Sequence, residues 1–411
     1  MLVEAALDRR SGLDEAAATA AFRALDPRDR GFARAAALTT LRRLGPIDRV
    51  LAARMQKPPP PPVTTLLRLA LAQAWFMEVP AFAAVNATVD QAGADPATRP
   101  FKALINGVLR TALREGPPAD DPEANAPPWL FARWRQAYGE EAARAIAQQI
   151  PAEPLTDVTC LSRDEAAAVA EALGGRELGD GTVRTPLRGD VSGWPGYDEG
   201  RWWVQDAAAA APARLLDVAA GETVLDLCAA PGGKTLQLAA AGASVTALDR
   251  SKARLNRLRE NLTRTSLSAE VVAADALTWT DRRTFDAVLL DAPCASTGTF
   301  RRNPDVLWAL KPSDIAALAE AQARLLDAAA GRVRPGGRLV YCVCSLEPEE
   351  GEAQADAFLS RRGDFELAPI APNEAAYLCA AVTSDGRLRV LPHHLPDGVD
   401  GFFAARFRRR G

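Results

Sequence analysis

The sequence predicts an α/β protein. A doubly wound, mostly parallel sheet of Rossmann-like type follows an all-α domain and a small α+β linker. Three observations carry this expectation. The chain has 411 residues, too many for one ordinary core. From Leu13 to about Gln149 its apolar spacing is helical throughout. After Asp217, short and nearly continuous apolar runs alternate with helical stretches, the pattern of parallel strands covered on both faces. A hydrophobic content of 48% with 25% charged residues is globular and excludes a wholly disordered chain.

The all-α domain is expected over residues 1–140. Phe101, Leu104, Ile105, Val108, Leu109 and Ala112 recur at i, i+3, i+4, i+7 and i+8, the stripe of an amphipathic helix. Residues 63–77 are mostly apolar around Arg68, so that helix should be buried on most sides. Pro58 to Pro62 are consecutive prolines, expected to form a stiff polyproline connector before it. Residues 141–205 read as the linker subdomain, with a strand near 156–161, a helix near 163–173 and an extended approach through Arg201-Trp202-Trp203-Val204. Residues 206–411 form the α/β domain, with strands at 223–227, 245–248, 271–274, 287–290 and 338–343, helices at 235–241 and 251–262, and a last strand at 402–407. Ligands of such sheets sit outside the carboxyl ends of the strands.

The first of those ends runs into Cys228-Ala229-Ala230-Pro231-Gly232-Gly233-Lys234-Thr235. A glycine-rich strand-to-helix turn lets backbone approach a ligand. It lacks both the G-x-G-x-x-G dinucleotide pattern and the first glycine of a P-loop. The second strand ends at Asp249, 23 residues after Asp226, where an acid commonly takes ribose hydroxyls, and the third ends at Asp275, beside an adenine. Each acid alone could equally cap the following helix. Together they suggest an adenosine ligand without a pyrophosphate, for which S-adenosylmethionine is the natural candidate.

The fourth strand delivers Asp291-Ala-Pro-Cys294 and the fifth Tyr341-Cys-Val-Cys344. Single cysteines are usually inert core residues; two at adjacent strand ends facing one crevice weigh otherwise. Cys342-x-Cys344 lacks zinc-ligand spacing, the only histidines are His393 and His394, and there is no C-x-x-C redox pair, so no metal is expected. A thiol beside a methyl donor makes sense for a pyrimidine. Carbon 5 of cytosine is a poor nucleophile until a thiolate adds at carbon 6. The adduct then needs a base to remove the carbon 5 proton, and an acid beside the ring nitrogen would favour the addition. Cys344, Cys294 and Asp291 are residues of those types.

These residues identify a resemblance. Leu225-Asp-Leu-Cys-Ala-Ala-Pro-Gly-Gly-Lys-Thr235, Asp291-Ala-Pro-Cys-Ala-Ser-Thr-Gly298 with Arg301-Arg-Asn-Pro-Asp305, and Cys344-Ser-Leu-Glu-Pro-Glu-Glu350 resemble the RsmB/Fmu-type RNA cytosine-5 methyltransferases of the Nop/Sun group. The resemblance implies a class I methyltransferase domain with Cys344 as nucleophile, Cys294 as the second cysteine for proton removal and release, and Asp291 orienting the ring. It carries the donor site onto Cys228, Ala229, Ala230, Pro231, Gly232, Gly233, Lys234, Asp249, Asp275 and Asp291. Asp29-Arg30, residues 41–47, Phe82-Ala-Ala-Val-Asn86 and Leu104-Ile-Asn-Gly-Val-Leu109 look like an N-terminal NusB-like RNA-binding domain. Residues 150–190 match the family poorly. Cys342 departs from its pattern, duplicating a thiol two residues before the nucleophile.

The substrate this implies is a cytosine of small-subunit (16S) ribosomal RNA. The net charge of −3 gives no hint of such a partner, but nine basic residues against three acids between Arg23 and Lys57 could neutralise phosphates. Arg30, Arg34, Arg42, Arg43, Arg301 and Arg302 are the expected RNA contacts. An RNA-binding assembly factor with a vestigial catalytic domain is the alternative, opposed by the intact thiol pair. An amine or small-molecule methyltransferase would not need cysteines. With no apolar run near about 20 residues and no apolar leader in the first ten, a cytoplasmic protein with reduced thiols and no membrane partner is expected.

Overall fold

The computed structural model describes residues 1–8 and 12–411. The chain divides into two compact units, one of Met1–Glu153 with Phe300–Leu310, the other of Pro154–Thr299 with Lys311–Gly411.

The first unit is helical. Its core gathers Ile47, Leu67, Leu71, Val85, Ile105 and Leu109 from four helices, Leu44–Ala52, Pro61–Phe76, Ala81–Ala94 and Lys102–Glu115. Ile105, Val108, Leu109 and Ala112 of the expected stripe are buried, but Leu104 is exposed because it stands one position off that face. The proline run is a correction. Pro61 and Pro62 form the first turn of Pro61–Phe76, where a residue without an N–H loses nothing, and only Pro58 to Pro60 remain as connector. A second correction concerns the boundary near 140. Helix Glu140–Gln148 packs on Pro128–Tyr138 and belongs to this unit.

Phe300–Leu310 joins the bundle through side chains. Arg42 donates to the carbonyl of Arg301 (3.0 Å), Trp308 Nε1 donates to the carbonyl of Leu41 (3.1 Å), and Phe300 stacks with Trp134 at 6.1 Å.

The second unit begins with a four-stranded antiparallel sheet, β1 (Thr156–Cys160), β2 (Arg176–Gly179), β3 (Thr182–Thr185) and β4 (Trp202–Val204), in the order β2-β3-β1-β4. A fully buried ion pair fixes it: Arg184 donates to both oxygens of Asp157 at 2.7 and 2.9 Å. Asp157 also accepts the backbone N–H of Ala207 (3.0 Å), tying the small sheet to helix Ala207–Leu215.

The large sheet contains β5 (Thr223–Leu227), β6 (Ser244–Asp249), β7 (Glu270–Ala273), β8 (Phe285–Asp291), β9 (Val333–Val343), β10 (Phe365–Leu367), β11 (Leu388–Val390) and β12 (Phe402–Arg409). Its order is β10-β12-β9-β8-β5-β6-β7, with β11 paired to β12. The pairs β5–β6, β5–β8, β6–β7 and β8–β9 are parallel; β12 runs antiparallel to β9, β10 and β11. Apolar clusters cover both faces, one with Ala207, Leu238 and Phe402, the other with Leu326, Val333 and Phe358. This is a Rossmann-like sheet as the sequence predicts, and the parallel strands β5 to β9 all end on one edge.

Candidate active site

That edge carries a cavity of about 570 Å³, lined by Cys228, Asp249, Asp275, Asp291, Cys294 and Cys344 among others. The volume is that of a small-molecule site. Four strands and a glycine turn supply these groups, because a parallel sheet brings all its carboxyl ends together.

The turn after β5 folds tightly. Cys228 adopts φ 60° and Gly232 φ 112°. A Cβ on Gly232 would lie 2.3 Å from Leu258 Cδ1, so only glycine lets helix Gly233–Ala240 start there. Asp249 at the end of β6 is 3% exposed, accepting the N–H of Ala230 (3.1 Å) and of Ser251 (2.8 Å). It thus leads in the next helix and also walls the cavity. Asp275 accepts the N–H of Leu277 (2.8 Å) in the same manner. The N–H of Ala229 goes to the carbonyl of Leu248 (3.1 Å), so two turn amides are spent on neighbouring strand ends. Cys228, Asp249, Asp275 and Asp291 of the expected donor set line the cavity; Ala229, Ala230, Pro231, Gly232, Gly233 and Lys234 do not, and Pro231 and Gly233 line a neighbouring recess instead. Burial pushes the Cys228 thiol up to about 12. Asp226 is wholly buried, accepts from Thr235 Oγ1 (2.6 Å), and is raised by burial to about 7.

Lys234 points from the helix after the turn onto Asp291, Nζ to Oδ2 2.7 Å, and lies 5.1 Å from the centre of the Phe402 ring. Burial opposes its charge, but the adjacent carboxylate prevails and holds the lysine protonated. Asp291 also accepts from the Cys342 thiol at 3.6 Å. Cys342 is fully buried and absent from the cavity wall; burial, then Asp291, holds it well above the usual thiol range.

Cys344 and Cys294 face each other with Sγ atoms 3.5 Å apart. The hydrogen bond with Cys344, then burial, holds the Cys294 thiol well above its ordinary range. Their loops are tied from behind by Glu350, a buried acid that sequence reasoning gave no role. Its carboxylate accepts the N–H of Ala295 (2.9 Å), the hydroxyl of Ser345 (2.5 Å) and Gln322 Nε2 (2.9 Å), and its backbone carbonyl accepts from Tyr341 (2.6 Å). Gly298 passes so close to Gly401 that a Cβ would lie 2.0 Å from its carbonyl oxygen, and its N–H donates to the carbonyl of Cys344 (3.0 Å). Arg250, Arg254 and Arg324, also unforeseen, complete the cavity wall; Arg324 comes from helix Pro312–Ala330, distant in sequence from every motif.

The expected RNA contacts divide. Arg42 and Arg301 are corrected: they are 7% and 2% exposed within the helical unit, where a guanidinium cannot meet a phosphate in solution. Arg301 therefore belongs to the bundle's packing rather than to the strand-end site. Arg34 is exposed, Arg30 and Arg302 are partly exposed, and Arg43 lies 4.5 Å over the Phe76 ring. Among the described residues no group of three or more His, Cys, Asp or Glu could hold a metal, and no helix is long and apolar enough to cross a membrane.

Fold and site together define a Rossmann-like methyltransferase with a NusB-like helical region in front. Residues 213–408 match the family described as 16S rRNA methyltransferase RsmB/F, and residues 2–114 match the NusB family. The chain is 36% identical to the ribosomal RNA small subunit methyltransferase B of Vibrio cholerae, over 94% of its own length and 91% of that protein's. It is 34% identical to the probable ribosomal RNA small subunit methyltransferase B of Bacillus subtilis, over 94% and 92%. Its fold is shared with the crystal structure of PH0851, at a TM-score of 0.77 and 24% identity, covering 99% of this chain and 97% of that one. The chain belongs to the RsmB/F methyltransferase family.

Proposed function

We propose that this chain transfers a methyl group from S-adenosylmethionine to carbon 5 of a cytosine in RNA through a transient bond between Cys344 and carbon 6. The substrate would be small-subunit ribosomal RNA, in line with the names of its relatives. The observation that carries the reading is the pair of thiols 3.5 Å apart on a cavity that also holds acids at three strand ends. A binding module with a vestigial sheet has no use for that arrangement.

The residues fit the donor. The cavity is large enough, and Asp249 and Asp275 can accept from ribose hydroxyls and an adenine amine. When bound there, S-adenosylmethionine supplies an electrophilic methyl group. Cys344, as thiolate, adds to carbon 6, and the ring's displaced electron pair makes carbon 5 nucleophilic. Asp291, paired with Lys234 at 2.7 Å, can accept from the exocyclic amine and orient the ring. Cys294 holds its proton while Cys344 is free. Once the Cys344 sulfur is engaged in the carbon bond, the largest of the influences that held that proton is removed, and Cys294 is placed to take the proton from carbon 5. The returning electron pair restores the ring double bond and expels Cys344. A cytosine must leave its stack to reach a recess of this kind.

The test is a trapped adduct on 16S RNA transcribed with 5-fluorocytidine, whose carbon 5 fluorine cannot be removed as a proton. Wild-type protein should form a denaturation-resistant complex and Cys344→Ala none. On ordinary RNA, Cys294→Ala should accumulate the complex that wild type releases. Crosslinking by Cys344→Ala that disappears in Cys342→Ala would reassign the nucleophile.

A further inference from the structure

We infer that Ser296 is a third catalytic group of this site, its hydroxyl hydrogen-bonding the Cys344 sulfur and favouring the thiolate that attacks the ring. The inference rests on the reading of Cys344 as nucleophile and adds a residue that neither the motifs nor the relatives' names assign.

Ser296 lines the same cavity as the two thiols. Its Oγ is 3.6 Å from Cys344 Sγ and 3.9 Å from Cys294 Sγ, and it donates to the carbonyl of Cys294 at 3.3 Å. The hydroxyl therefore touches the proposed attacking atom directly. In the thiol state Cys344 donates its S–H to Ser296; on loss of that proton the hydroxyl turns about its C–O bond and donates to the sulfur instead. A donor to the charged form stabilises it, and only one proton, that of the thiol, leaves for solvent.

The backbone is bent to put the hydroxyl there. Ser296 has φ 56°, a left-handed conformation uncommon for a residue with a Cβ and concentrated at functional sites. The turn is pinned on both sides: Glu350 holds the N–H of the preceding Ala295 (2.9 Å), and Thr297 Oγ1 accepts the N–H of Leu346 (2.9 Å) just beyond Cys344. Were Ser296 in ordinary extended or helical backbone, its side chain would leave the thiols.

Other ionisable groups lie in or beside the same cavity. Cys294 comes from the adjoining loop and Asp291, paired with Lys234, from β8; Asp249, Asp275 and Arg324 share the cavity, and Cys342 lies two residues back on β9. All of them remain when the serine hydroxyl is deleted, so a change on deletion reports the hydroxyl.

The experiment follows iodoacetamide alkylation of the Cys344 peptide by mass spectrometry across pH, in wild type, Ser296→Ala and Ser296→Gly, the glycine retaining the left-handed turn without strain. The expected result is that both variants raise the half-maximal pH by about one unit. Alkylation below it should then be about tenfold slower and converge with wild type at high pH. Adduct formation on 5-fluorocytidine RNA should show the same low-pH loss and high-pH recovery. Profiles that overlay wild type would overturn the inference. So would a loss uniform in pH, accompanied by a lower melting temperature, since that marks a turn brace. Absence of any adduct in wild type would instead sink the proposed function, leaving the alkylation comparison to judge Ser296 separately.

Discussion

Asp226 is cut off from water near the carboxyl end of β5, with one oxygen on Thr235 and the other without a partner. Burial raises it to about 7 from an unfolded value near 3.8. Between those values the folded chain keeps a proton that the unfolded chain has released. Folding stability from this group is therefore full below about pH 4, falls as pH rises, and stops changing above about 7. Asp226→Asn should flatten that dependence, by up to roughly 4 kcal/mol for a shift of this size. Denaturant titrations at pH 5 and pH 8 measure it: wild type should lose more stability between them than the variant, and parallel losses would mean that the carboxyl is ionised without cost. At this scale the sequence was informative about chemistry and poor about surroundings. Cys294, Cys344 and Asp291 stand on one wall as their spacing at strand ends suggests. Glu350 and Ser296 were illegible because their contacts are made by loops that only the fold brings together.

Elements depend on single internal ties. The small sheet β1–β4 hangs on Asp157 and Arg184, both without solvent access, with Asp157 also holding the start of helix Ala207–Leu215. Breaking one partner of such a pair leaves a buried charge uncompensated and typically costs 3–5 kcal/mol. Asp157→Asn should lower unfolding free energy by about that amount, and thermal unfolding would show it; a loss under 1 kcal/mol would mean that water reaches Arg184. Strands with continuous apolar runs were legible within a residue or two, as β5 and β8 show, except that β9 begins at Val333, five residues before its apolar run. The three-residue strands β10 and β11 went unforeseen, because neither has enough positions to display a period and both form by pairing with β12. Pro61 and Pro62 misled in the other direction, since proline opposes a helix only after its first turn.

For the whole molecule, charge pattern predicts an interface only after burial is known. Of the arginines expected to meet RNA, Arg42 and Arg301 serve packing, while Arg30 and Arg34 remain on an accessible helix, Pro27–Arg42. If that face meets phosphates, Arg30→Ala with Arg34→Ala should weaken RNA binding across sequences and reduce the slope of log K against log salt by about one to two. Filter binding at several salt concentrations would measure it, and an unchanged slope would exclude the face. The two-unit division also bears on how the chain is made. Because Phe300–Leu310 supplies Phe300 to Trp134 and Trp308 to the Leu41 carbonyl, the bundle that leaves the ribosome first lacks part of its packing until residue 310 has been translated. Synthesis order and folding order therefore differ, and a gene fragment stopping at codon 153 encodes a bundle with an open seam.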